Sequence, residues 1–161
     1  MQTCSFTGHR RIMPQHTDKL PELISRAINY AYENGCRTFL AGGAIGFDTL
    51  AAREVIRFRI SHPDVTLRLA LPCVNQEANW TEAQKSAYSY TLSSADEIIY
   101  ISDEYTDTCM KERNRYLADH ADLLIAYVSR AASGAGQTVR MAKERGARVY
   151  NLYPTLESKD R

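Results

Sequence analysis

Long apolar runs are missing from this chain. The longest uninterrupted one, Leu123 to Val128, falls far short of the roughly 18 residues that cross a bilayer. A membrane helix is excluded and no membrane partner is expected. The opening residues reach Gly8-His9-Arg10-Arg11 without the apolar stretch and cleavage site of a secretory signal, so the expected compartment is the cytoplasm. Cysteine is sparse: Cys4, Cys36, Cys73 and Cys109 form no C-x-x-C or C-x-x-H pair. No metal site of that kind is expected, and the thiols read as reduced and mostly buried. An excess of one charge is lacking too. Lys and Arg number 20 against 19 Asp and Glu, a net charge of +1, which gives no global attraction to a polyanion and makes nucleic acid an unlikely partner. The pattern G-x-x-x-x-G-K-[ST] is absent, which removes the P-loop phosphotransferases. No internal repeat and no low-complexity linker is present.

What the chain does hold is regular alternation. Its 161 residues, 44% hydrophobic and 24% charged, suit one globular domain. Short strands are expected at 4–6, 38–41, 65–71, 98–101, 123–127 and 148–152. Between them, helical periodicity recurs. Leu20, Leu23, Ile24, Ala27, Ile28 and Ala31 mark the first helix, with Thr17 or Asp18 as its cap and Gly35 as its stop. A second helix covers 47–60, and a third starts near Trp80, with Asn79 and Glu82 at capping-box spacing. A fourth runs to about Ala121 and a fifth to Arg145. The fold expected is Rossmann-like α/β, a mostly parallel central sheet of about five to six strands with helices on both faces. It forms a single domain over 1–154, followed by a mobile tail at 155–161.

Ligands of such sheets bind at the carboxyl ends of the strands, and three turns there are unusual. They are Thr7-Gly8-His9-Arg10, Gly42-Gly43-Ala44-Ile45-Gly46-Phe47-Asp48 and Ser133-Gly134-Ala135-Gly136-Gln137-Thr138. Glycine lets backbone approach a ligand, and N–H groups at the following helix start attract phosphate. Any one such turn serves simple packing more often than binding; the three together suggest a nucleotide. The dinucleotide fingerprint is imperfect, A-x-G-x-x-G at Ala41, Gly43 and Gly46 with no acidic residue ending the next strand, which argues against an ordinary dehydrogenase. In the fourth helix Met110, Leu117 and Ala121 share one face, with Arg113 and Asn114 on its flanks and Lys111, Glu112 and Arg115 turned away. Arg113 then needs an anion: an internal carboxylate, Asp48 being the candidate, or a ligand phosphate, at even odds. His9 reads as a polar contact before a general base, and Cys109 as inert. Gln76 and Trp80, four apart, could wall a base slot, although a lone Trp more often plugs a core edge. The ten tyrosines are scattered rather than arrayed for stacking.

As an ordered set, Thr7-Gly8-His9-Arg10, the Gly42 to Asp48 turn, Gln76 with Trp80, Met110 through Tyr116, and Leu124-Ile125-Ala126 with the late glycine turn resemble the SLOG superfamily, and within it the YpsA-like branch. The resemblance implies a nucleotide or nucleotide-derived ligand at the glycine-rich edge, in a sensing or regulatory role. It places Thr7, Gly8, His9, Arg10, Gly42, Gly43, Gly46, Asp48, Gln76, Trp80, Arg113, Asn114, Gly134, Gly136 and Thr138 in the ligand site. No resident cofactor, metal or catalytic residue is assigned. Phosphoribohydrolases of the same superfamily split nucleoside monophosphates with an arginine and a glutamate. Arg113 resembles that arginine, and Gly134 and Thr138 match part of their P-G-G-x-G-T-x-x-E motif, but Arg140 and Met141 occupy the region of the glutamate. Hydrolysis would therefore fall to Asp48 or Glu112. The DprA relatives bind single-stranded DNA, which the net charge does not favour here. A ligand-free interaction module is the remaining alternative, and a homo-oligomer is open.

Overall fold

The structure, a computed structural model, describes residues 2–158. Six strands, β1 (Gln2–Gly8), β2 (Cys36–Ala41), β3 (Thr66–Cys73), β4 (Glu97–Ser102), β5 (Leu123–Tyr127) and β6 (Arg148–Asn151), build one sheet in the order β4-β3-β2-β1-β5-β6. Every pairing is parallel. Helices α1 (Leu20–Glu33), α2 (Phe47–Ser61), α3 (Glu82–Ser94), α4 (Cys109–Asp119) and α5 (Gly134–Glu144) make the crossovers, and a short α6 (Tyr153–Glu157) follows β6. This is the expected Rossmann-like α/β domain.

The alternation of side chains along β1 explains how the two faces differ. Cys4 and Phe6 enter the large core with Ile24 and Ile28 of α1 and Phe47 and Val55 of α2. Ser5 turns to the other face, where its buried hydroxyl donates to the Leu117 carbonyl of α4 at 2.8 Å, and Thr7 follows on that side. The second face carries smaller clusters, Leu40, Ala70 and Leu117, and Ala118, Leu124 and Ala142. Strand β5 is buried at all five residues, as a strand flanked and covered on both sides must be. All four cysteines are buried and unpaired.

Two caps differ from expectation. Helix α3 is capped by Thr81, whose side chain accepts from Gln84 N–H at 3.1 Å while the Gln84 side chain accepts from Thr81 N–H at 3.0 Å. The capping box thus lies two residues beyond Asn79 and Glu82, because Asn75 to Trp80 is spent on turns, with Asn75 itself at φ 67°. Neither Thr17 nor Asp18 caps α1. Its N-cap is Lys19 without a side-chain bond, since the preceding 3-10 turn Pro14–His16 runs into it and His16 O accepts from Lys19 N–H. Residues 155–157, in the expected tail, belong to α6, and 159–161 lie outside the described residues. Among the described residues no helix is long and apolar enough to cross a membrane.

Candidate functional site

The strand order fixes where a ligand can enter. From β1 the chain steps outward through β2, β3 and β4, then returns to place β5 on the other side of β1. The carboxyl ends of β1 and β5 are therefore a topological switch point, where the following loops diverge and leave a crevice. A cavity of about 500 Å³ opens there, a volume suited to a small ligand. The two strand ends stay joined at its floor: His9 N–H donates to Tyr127 O at 3.1 Å, and Ser129 N–H donates to His9 Nε2 at 2.8 Å.

The glycine turns prove to be joints as well as walls. A Cβ on Gly8 would stand 2.4 Å from the Phe47 ring, and one on Gly46 would stand 2.1 Å from Arg10 O. Phe47 N–H donates to His9 O at 3.2 Å. The loops after β1 and β2 are thus pressed into one another, and Gly46, at φ 82°, takes a conformation open to few other residues. Gly42 is flanked by the site's two charges: its Cβ would lie 2.8 Å from Asp48 Oδ2 and 2.9 Å from Arg113 Nη1. At the start of α5 the Ser133 hydroxyl accepts from Gly136 N–H at 3.0 Å. The N–H groups of Gly134 and Ala135, both on the cleft, have no protein acceptor among the described residues.

Four arginines line the cleft, Arg10, Arg11, Arg113 and Arg130, and Asp48 is the one carboxylate among the lining residues. Arg113 is only 5% exposed. Its Nη1 donates to Gly42 O and its Nε to Asn114 Oδ1 at 2.9 Å, while Nη2 has no protein acceptor among the described residues. Burial lowers the guanidinium from its ordinary value and the nearby Asp48 charge opposes that; it remains a cation. No direct ion pair joins Arg113 to Asp48 among the described residues. The internal pair, one of the two alternatives open to Arg113, is thus replaced by contacts with a carbonyl and an amide, because Gly42 stands between the two side chains.

Asp48 is 5% exposed. Oδ2 accepts from Ala44 N–H at 3.2 Å, but Oδ1 is buried without a hydrogen-bond partner among the described residues. Burial pushes the carboxyl up to about 6, against the pull of Arg113, the Ala44 N–H and Arg10. His9 is lowered by burial and then by the Arg130 charge. Its Nε2 accepts a backbone N–H, so the neutral ring carries its proton on Nδ1, and Nε2 is not free to act as a base.

Of the residues expected in the site, Thr7, Gly8, His9, Arg10, Asp48, Arg113, Asn114 and Gly134 line the cleft. Gly42, Gly43 and Gly46 shape it from behind. Gln76 is displaced from it: Nε2 donates to Gly43 O at 3.2 Å and to Tyr88 OH at 3.0 Å. Trp80 packs edge-on against Tyr88, centroids 5.0 Å apart. Gly136 lies under the Arg130 and Ala131 carbonyls, and Thr138, fully buried, donates to Gly134 O at 3.0 Å. Arg11, Met13, Ser129, Arg130 and Tyr153 line the cleft without having been anticipated. Ser129 and Arg130 lie in the loop that begins just after β5, so position alone could have marked them; Tyr153 carried no such signal. Glu112 is exposed and bonded to Thr108. Arg140 is exposed on a separate groove of α5, so it cannot oppose positive charge developing in the cleft, and Asp48 is the remaining carboxylate for any hydrolytic role.

The sequence profile of the YspA SLOG family matches residues 11–154. The chain belongs to that family. It is 30% identical to the SPbeta prophage-derived protein YoqJ of Bacillus subtilis (strain 168), over 85% of this chain and 86% of that one. It is 25% identical to a UPF0398 protein of Bacillus cereus (strain G9842), over 79% and 71%. Among solved structures it resembles DNA processing protein A (DprA) of Streptococcus pneumoniae, TM-score 0.66 at 18% identity, covering 93% of this chain and 50% of that one. DprA of Helicobacter pylori, described for its single-stranded DNA binding mode, superposes at TM-score 0.61 and 18% identity, over 92% and 63%. The SLOG chain thus spans half to two-thirds of these DprA chains. The expectation that nucleic acid is an unlikely partner is corrected here. A protein that binds single-stranded DNA is built on this fold, and the +1 total hides a local imbalance of four arginines to one carboxylate in the cleft. Local field, not net charge, governs attraction to an anion.

Proposed function

We propose that this SLOG protein binds a nucleotide-type ligand in the cleft between β1 and β5, in a sensing or regulatory role. One observation carries the reading: a buried guanidinium with an open Nη2 and a buried carboxyl with an orphaned Oδ1 face the same cavity. An unpaired buried polar atom costs about 1–3 kcal/mol. Asp48 Oδ1 carries that cost, and a ligand presenting a phosphate beside a hydroxyl fits both groups, the phosphate on Arg113 and the N–H groups of Gly134 and Ala135, the hydroxyl donating to Asp48. Titration calorimetry with nucleoside monophosphates, ADP-ribose and NAD tests this. Wild-type protein binds at least one, and Arg113→Ala loses roughly tenfold or more in affinity with its ligand-free melting temperature within a few degrees of wild type. A flat response across the panel sinks the reading in favour of an interaction module.

A second reading, a strand of nucleic acid whose backbone phosphate occupies the same place, is favoured by the exposure of Arg10, Arg11 and Arg130 and by the likeness to the DprA fold. An oligo-dT arm in the same titrations separates the two. Tight oligonucleotide binding without mononucleotide binding selects the second.

A further inference from the structure

One wall of the cleft comes from the far end of the chain, and its construction is out of proportion to a terminal helix of five residues. Strand β6 ends at Asn151, whose side chain accepts from Val128 N–H at 3.0 Å, donates to Val128 O at 2.8 Å and accepts from Tyr153 N–H at 3.2 Å. That fixes the first residue of α6 to the end of β5. The other end is tied by His16, which is fully buried. Glu157 Oε2 lies 2.5 Å from its Nε2, and Tyr127 OH lies 2.7 Å from its Nδ1. Met13 N–H donates to the same Tyr127 oxygen at 3.1 Å. One donor arrangement satisfies all three contacts: Nε2–H donates to the carboxylate, Tyr127 O–H donates to Nδ1, and the Tyr127 oxygen accepts from Met13 N–H.

What this relay holds in place is the ring of Tyr153. It sits 4.8 Å from Tyr127, 4.9 Å from His16 and 6.3 Å from His9, centroid to centroid, and it lines the cleft while half-buried. A flat aromatic fixed on three neighbours beside an arginine-lined cavity is a stacking platform. We infer that Tyr153 is the base-stacking residue of the cleft, with Glu157 and His16 as positioning residues, and that the ligand bears a planar base and is not a bare sugar phosphate. This rests on the nucleotide reading above.

The test compares the four ribonucleoside 5′-monophosphates with ribose 5-phosphate by titration calorimetry. Wild-type protein binds the best monophosphate more tightly than ribose 5-phosphate. Tyr153→Ala lowers that preference roughly tenfold while ribose 5-phosphate binding stays as in wild type, and Tyr153→Phe keeps the preference. Glu157→Ala shifts the preference in the same direction, Glu157→Gln restores most of it, and adding Glu157→Ala to Tyr153→Ala costs nothing further. Equal loss of both ligands in Tyr153→Ala, or loss of neither, overturns the stacking role and leaves the nucleotide reading standing. Wild-type protein that binds ribose 5-phosphate as tightly as every monophosphate also overturns it. Wild-type protein that binds none of these compounds overturns the stacking role, and if it binds neither ADP-ribose nor NAD as well, it overturns the nucleotide reading too.

Discussion

Asp48 weakens the fold it belongs to. Its carboxyl, ordinarily at 3.8, stands at about 6 in the folded protein because burial disfavours the charged form. A carboxyl raised on folding contributes stability that is complete below its unfolded value and is lost as pH rises through the folded one. Between pH 8 and pH 5 this group therefore returns about 1.4 kcal/mol to the wild-type fold. Asp48→Asn has no such dependence. Urea unfolding is expected to show the variant more stable relative to wild type at pH 8 than at pH 5, by about that amount, while nucleotide binding at pH 8 falls. A difference that stays constant across the range would mean that the carboxyl is not raised. A destabilising carboxylate at the centre of an arginine-lined cleft fits the binding role proposed above.

At the scale of elements, the glycine turns separate by what a methyl group would meet. Gly46→Ala drives a Cβ to 2.1 Å from backbone at Arg10 and holds alanine at φ 82°, so it is expected to cost more than about 2 kcal/mol and to part the two loops. Gly134 meets nothing nearer than the Asn114 amide at 3.4 Å, and Gly134→Ala stays within about 1 kcal/mol of wild type. Denaturant melts of the two variants check the contrast; equal effects would refute it. Thr81→Ala removes the α3 capping box for about 1 kcal/mol and leaves ligand affinity alone. The same scale shows what was legible beforehand. Strand β5 agrees to the residue with the strand expected at 123–127, and α4 presents Arg113 inward and Lys111, Glu112 and Arg115 outward as 3.6-residue periodicity requires. The α3 cap was misplaced because Asn79 and Thr81 are both good cap residues and only the turn at Asn75 decides between them. Gly42 separating Asp48 from Arg113, Arg140 turned off the cleft and the Tyr153 wall depend on contacts between distant segments, which spacing within one segment does not encode.

For the whole molecule, charge placement matters more than charge total. If the proposed ligand is held by Arg10, Arg11, Arg113 and Arg130, which line the cleft, its binding weakens as salt rises from 50 to 500 mM, with the exposed members screened first. Titrations at several salt concentrations read this directly, and a salt-independent affinity would place the anion elsewhere. The sheet order has a further consequence, in time. Strands β2, β3 and β4 can each dock on the strand before through a helical crossover. Strand β5 must instead return to β1, pairing Leu123 with Cys4 across most of the chain, the slow kind of contact to close. A nascent chain leaving the ribosome up to α4 thus carries Arg113 and Asp48 but has no second wall for the cleft, and β1 still presents an open edge. On the reading proposed above, Arg113, Asp48 and the Tyr153 wall meet only once that edge is sealed and α6 has followed, so a bound ligand favours chains that have placed both over shorter ones.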